Sequence, residues 1–282
     1  MKHPSTTPLF CALLAVFAAP AAWADVPLPS VTYYGCVRDA YGYPFKKDAE
    51  VVLMKGGVEC SRYLITGERS PGVNYRMEVE IDNGGTPFEA YAVHVDSQLD
   101  VKVYYQGQSL AVLTNATITA LPAALTVPAA GSAIRLNIQT GVDADGDGLP
   151  DAWEQLLIAQ SAGALQTLAD VKPEDDFDGD GSDNLHEFRS GTFPFLKGDS
   201  FAIDALPQTS NGRFSFRFLA VAGFTYQVRG AVSLTGPAWG DQPFATAPDA
   251  AVATGLVFGD DTFKTLYVEA TNSTAFVRLS IK

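Results

Sequence analysis

Hydrophobic and polar residues alternate along much of the chain, and this alternation predicts β-strands. The clearest example lies at 75–82, where Tyr75, Met77, Val79 and Ile81 alternate with charged residues. A period of two is typical of a strand with one buried and one exposed face. Short strands at this spacing predict an antiparallel β-sandwich over residues 25–141. Further strands are predicted at 31–38, 89–95, 101–106, 109–113 and 133–139, and Gly56-Gly57 predicts a hairpin between strands at 50–55 and 58–65.

The alternation returns in the last part of the chain. Phe214, Phe216 and Phe218 alternate with polar neighbours, and the pattern recurs at 224–228. These strands predict a second, smaller β-sandwich over residues 198–282. The fold class is therefore predicted to be mainly β, with two antiparallel β-sandwich domains joined by a segment of different character.

That joining segment, residues 142–197, carries most of the negative charge. It holds 13 acidic residues against three basic ones, a net charge of −10 within a chain whose formal net charge is −13. Because contacts to phosphate groups need clustered Lys and Arg, nucleic acid is excluded as a partner of this acidic chain. The concentration of acid in one segment points to a local cause.

Two twelve-residue stretches in this segment match a calcium-binding loop. Such a loop supplies oxygen ligands from positions 1, 3, 5, 7, 9 and 12, with glycine at position 6 for a sharp turn. In the first loop the predicted ligands are Asp143, Asp145, Asp147, the carbonyl of Leu149, Asp151 and Glu154. In the second loop they are Asp176, Asp178, Asp180, the carbonyl of Ser182, Asn184 and Glu187. The chain is therefore predicted to bind two calcium ions, Ca²⁺ being its predicted cofactor.

A short helix is predicted after each loop, because the glutamate at position 12 normally lies in the first turn of a helix. Pro150 suits the start of the first helix, and Gly191 is predicted to end the second. Residues 142–197 are thus expected to form two loop-helix units between the β-domains.

These loops resemble the EF-hand-like calcium repeats of secreted proteins, of the thrombospondin type 3 and dockerin kinds. Three features differ from mobile sensors and from dockerins. No helix is predicted before Asp143, position 8 holds Pro150 and Asp183, and the two loops begin 33 residues apart. The resemblance and its departures together favour a calcium-stiffened joint between two β-domains.

A second resemblance concerns the N-terminal domain. Residues 35–44, which include a Gly-Tyr-Pro turn, and the apolar residues 49–53 that follow are similar to the opening of carboxypeptidase-regulatory and transthyretin-like domains. Those domains are non-catalytic β-sandwiches, so the resemblance implies a scaffold or a binding module.

Residues 1–24 have the features of a signal peptide. Lys2 is followed by a short apolar run at 9–19, and small residues precede a cleavage site after Ala24. The run is shorter than the roughly 20 residues of a membrane-spanning helix, and no transmembrane anchor is predicted in the mature chain. The protein is therefore expected to be secreted or held at the cell surface, with the periplasm as an alternative.

Two cysteines, Cys36 and Cys60, remain after removal of the signal peptide. In an oxidising compartment an even pair in a small β-domain favours a disulfide, which is predicted here.

Three functional hypotheses follow. The leading one is a non-enzymatic extracellular calcium-binding protein for adhesion or structural display, whose partner is a surface glycan or another extracellular protein. The second is a carbohydrate-binding module, for which the candidate residues are Tyr33, Tyr34, Tyr41, Tyr43, Tyr104 and Tyr105 in the first domain and Trp239 in the last. The third is a calcium-dependent hydrolase with two carboxylates outside the loops. His94 and His186 stand alone in the sequence, without a nucleophile motif, and no catalytic residue is predicted.

Overall fold

The computed structural model describes residues 28–70, 72–82, 91–113, 125–207, 212–269 and 276–281. Within them the chain is mainly β, as predicted, and two α-helices interrupt the strands. The predicted signal peptide at 1–24 lies outside the described residues.

Ten strands make up the first β-region, which contains two larger sheets. The three-stranded sheet has the order β5-β1-β9, and the five-stranded sheet has the order β4-β3-β6-β7 with β8 also paired to β6. A short parallel pair, β2 and β10, continues β1 and β9, which are also parallel. The prediction of purely antiparallel pairing over residues 25–141 is therefore wrong for these strands. The strands are β1 (Val31–Gly35), β2 (Val37–Arg38), β3 (Ala49–Lys55), β4 (Val58–Leu64), β5 (Tyr75–Val79), β6 (Gln98–Tyr105), β7 (Gln108–Leu110), β8 (Leu125–Thr126), β9 (Ala133–Arg135) and β10 (Ile138–Gln139).

The two larger sheets share one hydrophobic core. The alternation read from the sequence places Tyr75, Met77 and Val79 of β5 inside and the intervening charged residues outside. They lie in one buried cluster with Val51 and Leu53 of β3, which belong to the five-stranded sheet. Burial of these side chains in a shared core therefore helps to hold the two sheets together.

The hairpin predicted at Gly56-Gly57 is confirmed. Both glycines have positive φ, 55° and 87°, between the antiparallel strands β3 and β4. Positive φ at both central residues gives the turn whose twist matches that of the flanking strands.

One predicted strand is not formed in its described part. Of the range 89–95, residues 91–95 contain only an isolated bridge, between Val93 and Ile81. Tyr91 and Val95 are exposed, so the local apolar pattern does not correspond to a regular buried face.

The middle segment contains both helices. Helix α1 spans Asp151–Gln160, a short 3-10 turn lies at Leu168–Asp170, and helix α2 spans Asn184–Ser190. The segment has its own cluster of buried residues, Leu149, Trp153, Leu157, Val171 and Phe188.

The remaining strands surround a third cluster, which includes Phe216, Phe218, Tyr226 and Leu266. One sheet has the order β11-β12-β16, and in the other β13 pairs with β14, β15 and β17. These strands are β11 (Asp204–Leu206), β12 (Phe214–Ala220), β13 (Thr225–Ala231), β14 (Gly240–Asp241), β15 (Leu256–Phe258), β16 (Thr262–Val268) and β17 (Phe276–Ile281).

The predicted disulfide is wrong, because Cys36 and Cys60 are free thiols. Cys36 is buried between β1 and β2, whereas Cys60 lies in β4, at the edge of the five-stranded sheet. Each Sγ is near a neighbouring carbonyl oxygen, at 3.9 Å from Val37 and 3.6 Å from Val58 respectively. The topology places the two residues in different parts of the β-region, which their spacing in the sequence does not determine.

No helix in the described part of the chain has the length and apolar character needed to cross a membrane.

Candidate metal centre

The two predicted loops fold in the same way, residue for residue. In the first, Asp143 accepts hydrogen bonds from the N–H groups of Gly146 and Gly148, at 2.8 and 3.1 Å. In the second, Asp176 accepts the equivalent bonds from Gly179 and Gly181, at 2.8 and 2.9 Å. In both loops the aspartate at position 1 therefore organises the backbone of positions 4 and 6.

The next aspartates repeat the correspondence. The N–H of Leu149 donates to Asp147 at 2.8 Å, and the N–H of Ser182 donates to Asp180 at 2.9 Å. Side-chain oxygens of the first three acidic positions lie within 4.8 Å of one another in each loop. These triads are Asp143, Asp145 and Asp147 in the first loop and Asp176, Asp178 and Asp180 in the second.

A backbone hydrogen bond closes each loop at the same place. The N–H of Asp151 donates to the carbonyl of Val142, and the N–H of Asn184 donates to the carbonyl of Asp175, both at 2.8 Å. Each bond joins position 9 to the residue just before position 1. The internal repeat in the sequence is thus a structural repeat.

Glycines at position 4 complete the repeat, whereas the calcium-loop pattern specifies glycine only at position 6. Gly146 and Gly179 have φ of 76° and 71°, and Gly148 and Gly181 have φ of 102° and 100°. A left-handed backbone at positions 4 and 6 suits glycine, since it lacks the Cβ that disfavours this region. The spacing Gly-x-Gly within each loop was the signal for the missed pair.

The glutamates at position 12 are buried at the ends of the loops. Glu154 and Glu187 are 0% and 1% exposed, and neither carboxylate oxygen of either residue has a hydrogen-bond partner among the described residues. Burial, with added repulsion from the loop aspartates, raises the pKa of each to about 8. A buried carboxylate normally has hydrogen-bond or ionic partners. These four oxygens are therefore suited to bind a cation.

The second loop has further oxygens of the same kind. Asn184 is fully buried, and its Nδ2 donates to the carbonyl of Lys172 at 2.7 Å while its Oδ1 has no partner among the described residues. One oxygen each of Asp178 and Asp180 is also buried without a partner. The amide of Asn184 is therefore anchored through its nitrogen, which leaves its oxygen for the site.

A small core holds the two glutamate-bearing helices together. The rings of Trp153 on α1 and Phe188 on α2 are 5.4 Å apart in an edge-to-face arrangement. Each aromatic residue is the direct neighbour in sequence of a position-12 glutamate. Packing in this core therefore fixes the helical turns that carry Glu154 and Glu187.

Asp183, at position 8 of the second loop, has a different role from its neighbours. It precedes α2 and caps the helix, accepting a hydrogen bond from the N–H of His186 at 2.8 Å. The His186 ring nitrogen Nδ1 lies 2.6 Å from the same carboxylate oxygen. A side chain that caps the start of a helix stabilises it, and the first turn of this helix holds Glu187.

Two acids outside the twelve-residue loops interact electrostatically with loop aspartates. Burial raises the pKa of Asp147, and the charge of Glu174 contributes to this effect. Burial also raises the pKa of Asp199, with a contribution from Asp180 of the second loop. No twelve-residue pattern includes Glu174 or Asp199, so the sequence reasoning did not identify them.

The residues considered for other chemistry differ in exposure. His94 is exposed, in the segment 91–95. Among the candidate sugar-binding tyrosines, Tyr33 is fully buried, whereas Tyr41 and Tyr43 are 46% and 64% exposed.

No protein-family model matches the sequence, and neither the curated proteins nor the solved structures give a significant match.

Proposed function

We propose that the chain is a non-enzymatic extracellular protein in which two calcium ions stiffen the joint between two β-sandwich domains, for adhesion or structural display. The observation that carries this proposal is the pair of buried glutamates, Glu154 and Glu187, whose four oxygens have no partner among the described residues. Each closes a loop whose acidic triad gathers within 4.8 Å.

The donor set favours calcium over softer metals. Every candidate ligand is a carboxylate, amide or carbonyl oxygen, the type that Ca²⁺ and Mg²⁺ prefer. One oxygen each from positions 1, 3, 5, 7 and 9, with two from the final glutamate, makes about seven, within the range for Ca²⁺ and above the six of Mg²⁺. A shell filled by the chain itself leaves no open position for a substrate, which favours a structural role.

Calcium would also remove the main electrostatic cost of the segment. With the final glutamate ionised, the first loop gathers five carboxylates and the second gathers four. Mutual repulsion and burial both oppose this arrangement unless a cation offsets the charge. The free energy of calcium binding therefore becomes free energy of folding for residues 142–197.

Helix α2 is the element through which this stabilisation reaches both β-regions. A Cβ added at Gly42 of the first region would lie 3.3 Å from the Phe188 ring, and one added at Gly191 would lie 2.7 Å from the ring of Phe224 in the last region. The helix that carries Glu187 therefore touches both sides of the joint.

The proposal is tested by thermal unfolding of the protein without residues 1–24, once in millimolar calcium and once in excess chelator. A site occupied at about 100 times its dissociation constant adds roughly 2.7 kcal/mol. We expect a large rise in melting temperature with calcium and a much smaller one with magnesium. Equal melting temperatures in calcium and chelator would contradict the proposal.

Glu154→Gln combined with Glu187→Gln serves as the matched variant. It keeps the shape of both side chains and removes both charges. We expect its melting temperature to respond little to calcium, whereas Glu78→Gln, on the exposed face of β5, should respond as the parent does.

A further inference from the structure

A large cavity lies where the two β-regions and the second loop meet. Its volume is about 910 Å³, and its walls come from all three parts of the molecule. Arg38 and Arg135 belong to the first β-region, Arg189 to helix α2, and Phe224 and Ser280 to the last β-region. Cavities of about 300–1,000 Å³ are of the size that holds small ligands.

Three arginines in one cavity are unusual for so acidic a chain. The whole chain has 19 basic residues against 32 acidic ones, yet none of these three guanidiniums forms an ion pair with a described carboxylate. The other described arginines include four that do, namely Arg62, Arg213, Arg217 and Arg229.

Two of the guanidiniums are held in place by neutral groups. Arg38 donates to the carbonyls of Gly42 and Gly223 and lies 3.9 Å from the centre of the Phe224 ring. Arg135 donates to the carbonyl of Gly72 at 3.0 Å, while its Nε is buried without a partner among the described residues. These contacts orient the positive groups but do not neutralise them.

Arg189 has more freedom to bind a ligand. Its guanidinium makes no hydrogen bond or ion pair with any described residue, although the side chain is only partly exposed. The one carboxylate in the cavity wall, that of Asp183, already caps α2 and lies 2.6 Å from the His186 ring. Three arginines therefore share the cavity wall with one carboxylate, which leaves an excess of positive charge.

The surroundings of the cavity also affect the pKa of Arg38. Burial lowers the pKa of Arg38, and the positive charge of Arg135 lowers it further. Like charges brought together away from water raise the free energy of the folded state unless an anion joins them.

We propose that this arginine-lined cavity binds a small organic oxyanion, a ligand that carries a carboxylate, sulfate or phosphate on a ring or chain with an apolar face. The planar fork of a guanidinium matches two oxygens of such a group. The apolar walls, from Ile138, Phe201 and Leu279 among others, suit the body of the ligand.

Calcium and the oxyanion should support each other, a consequence that rests on the proposed function. Gly181 and Ser182 of the second loop are part of the cavity wall, and Arg189 follows Glu187 by two residues. A cation that orders the loop would order this wall, and by linkage a bound oxyanion would tighten calcium binding by the same factor.

The experiment is calorimetric titration of the chain without residues 1–24 at low ionic strength, in saturating calcium. The probes are inorganic sulfate, inorganic phosphate, benzoate and glucuronate, which separate the anionic group from the body that carries it. We expect benzoate or glucuronate to bind more tightly than either inorganic ion. Arg189→Gln should weaken that binding at least about tenfold, because charged hydrogen bonds are among the stronger ones.

Two further variants keep the result interpretable. Arg189→Lys keeps the charge in the last turn of α2 but loses the fork, and we expect intermediate binding. Arg217→Gln removes an exposed arginine of β12, 46% exposed and away from the cavity, and should bind as the parent does. Absence of binding by all four probes, or equal binding by Arg189→Gln and the parent, would overturn the proposal.

The failure of the calcium proposal would give a different result. If an organic oxyanion binds without calcium binding, and Arg189→Gln weakens the binding of that oxyanion, the cavity proposal holds and the calcium proposal fails. If calcium binds but no probe does, the cavity proposal falls and the calcium sites stand.

Discussion

Glu154 and Glu187 illustrate what a single side chain contributes at the end of an acidic loop. A carboxylate buried without a partner normally costs several kcal/mol or stays protonated. The chain places such a group at the same position of two repeated loops, and the pKa of each rises to about 8. Both residues are thus poorly suited to a metal-free fold and well suited to a bound cation.

Removing one charge should affect one site. Glu187→Gln keeps the size of the side chain but replaces an anionic oxygen with an amide. We expect calcium affinity at the second loop to fall more than about 100-fold, since even the partners of metal ligands typically contribute 10–100-fold. Calorimetry should show one tight site instead of two. Two unchanged tight sites would contradict the assignment of Glu187.

The raised pKa values predict an inverted pH dependence in the metal-free protein. The folded state keeps protons on Glu154 and Glu187 that the unfolded state loses near pH 4.5. Stability from these groups is therefore complete below about pH 4.5 and falls as the pH rises towards 8, by on the order of 1 kcal/mol or more. With calcium bound, stability should instead rise with pH, because protons compete for the ligands.

Denaturant unfolding at pH 5, 6.5 and 8 measures both trends. The double variant Glu154→Gln, Glu187→Gln should reduce the decline in the metal-free series. A metal-free protein that gains stability steadily from pH 5 to 8 would show that these glutamates are not protonated in the folded state.

At the scale of elements, helix α2 is short but occupies a central place. Its seven residues, Asn184–Ser190, begin at the Asp183 cap and end at Gly191, which has a φ of 74°. So short a helix is not stable by itself and depends on packing and on its ends. The sequence correctly predicted Gly191 as its end, but not that this glycine lies against Phe224.

Gly191→Ala tests that contact, with Gly163→Ala as its control. Both glycines have positive φ, 74° and 87°, but a Cβ at Gly163 has open space around it. Gly163→Ala should cost about 1 kcal/mol from backbone strain alone. Gly191→Ala should cost roughly 1–3 kcal/mol more, because the new methyl overlaps the Phe224 ring. Equal losses in denaturant unfolding would mean that α2 does not pack on the last β-region.

At the scale of the whole molecule, the segment with most of the negative charge is also a separate segment in hydrophobic packing. The three buried clusters lie in the first β-region, the middle segment and the last β-region. Ten of the net negative charges belong to the middle segment, which has the smallest of these clusters. Its stability should therefore depend most on bound cations.

Limited proteolysis tests this division of stability. Lys197 is exposed at the end of the middle segment, and its Nζ donates a hydrogen bond to the carbonyl of Gly179 in the second loop at 3.1 Å. Calcium removal should raise the rate of tryptic cleavage after Lys197 at least about tenfold, because local opening exposes the backbone. Cleavage after Lys102, within β6, should change little. An equal increase at both sites would indicate that calcium stabilises the whole fold.

The sequence by itself determined the features that depend on local periodicity and local chemistry. Alternation predicted β5, β12 and β13 because side chains of a strand point to opposite faces in turn. The acidic loops were predictable because all their candidate ligands lie within twelve residues, so that no distant part of the chain is needed to assemble them.

Only the tertiary structure decided the features that depend on distant residues. It placed Cys36 and Cys60 apart, left 91–95 without a regular strand, and brought Glu174 and Asp199 towards the loops. It also gathered Arg38, Arg135 and Arg189 around one cavity, although they are separated by 97 and 54 residues. These contacts between distant residues are determined by sheet pairing and by core packing, which buries apolar surface. The spacing of the residues along the chain does not determine them.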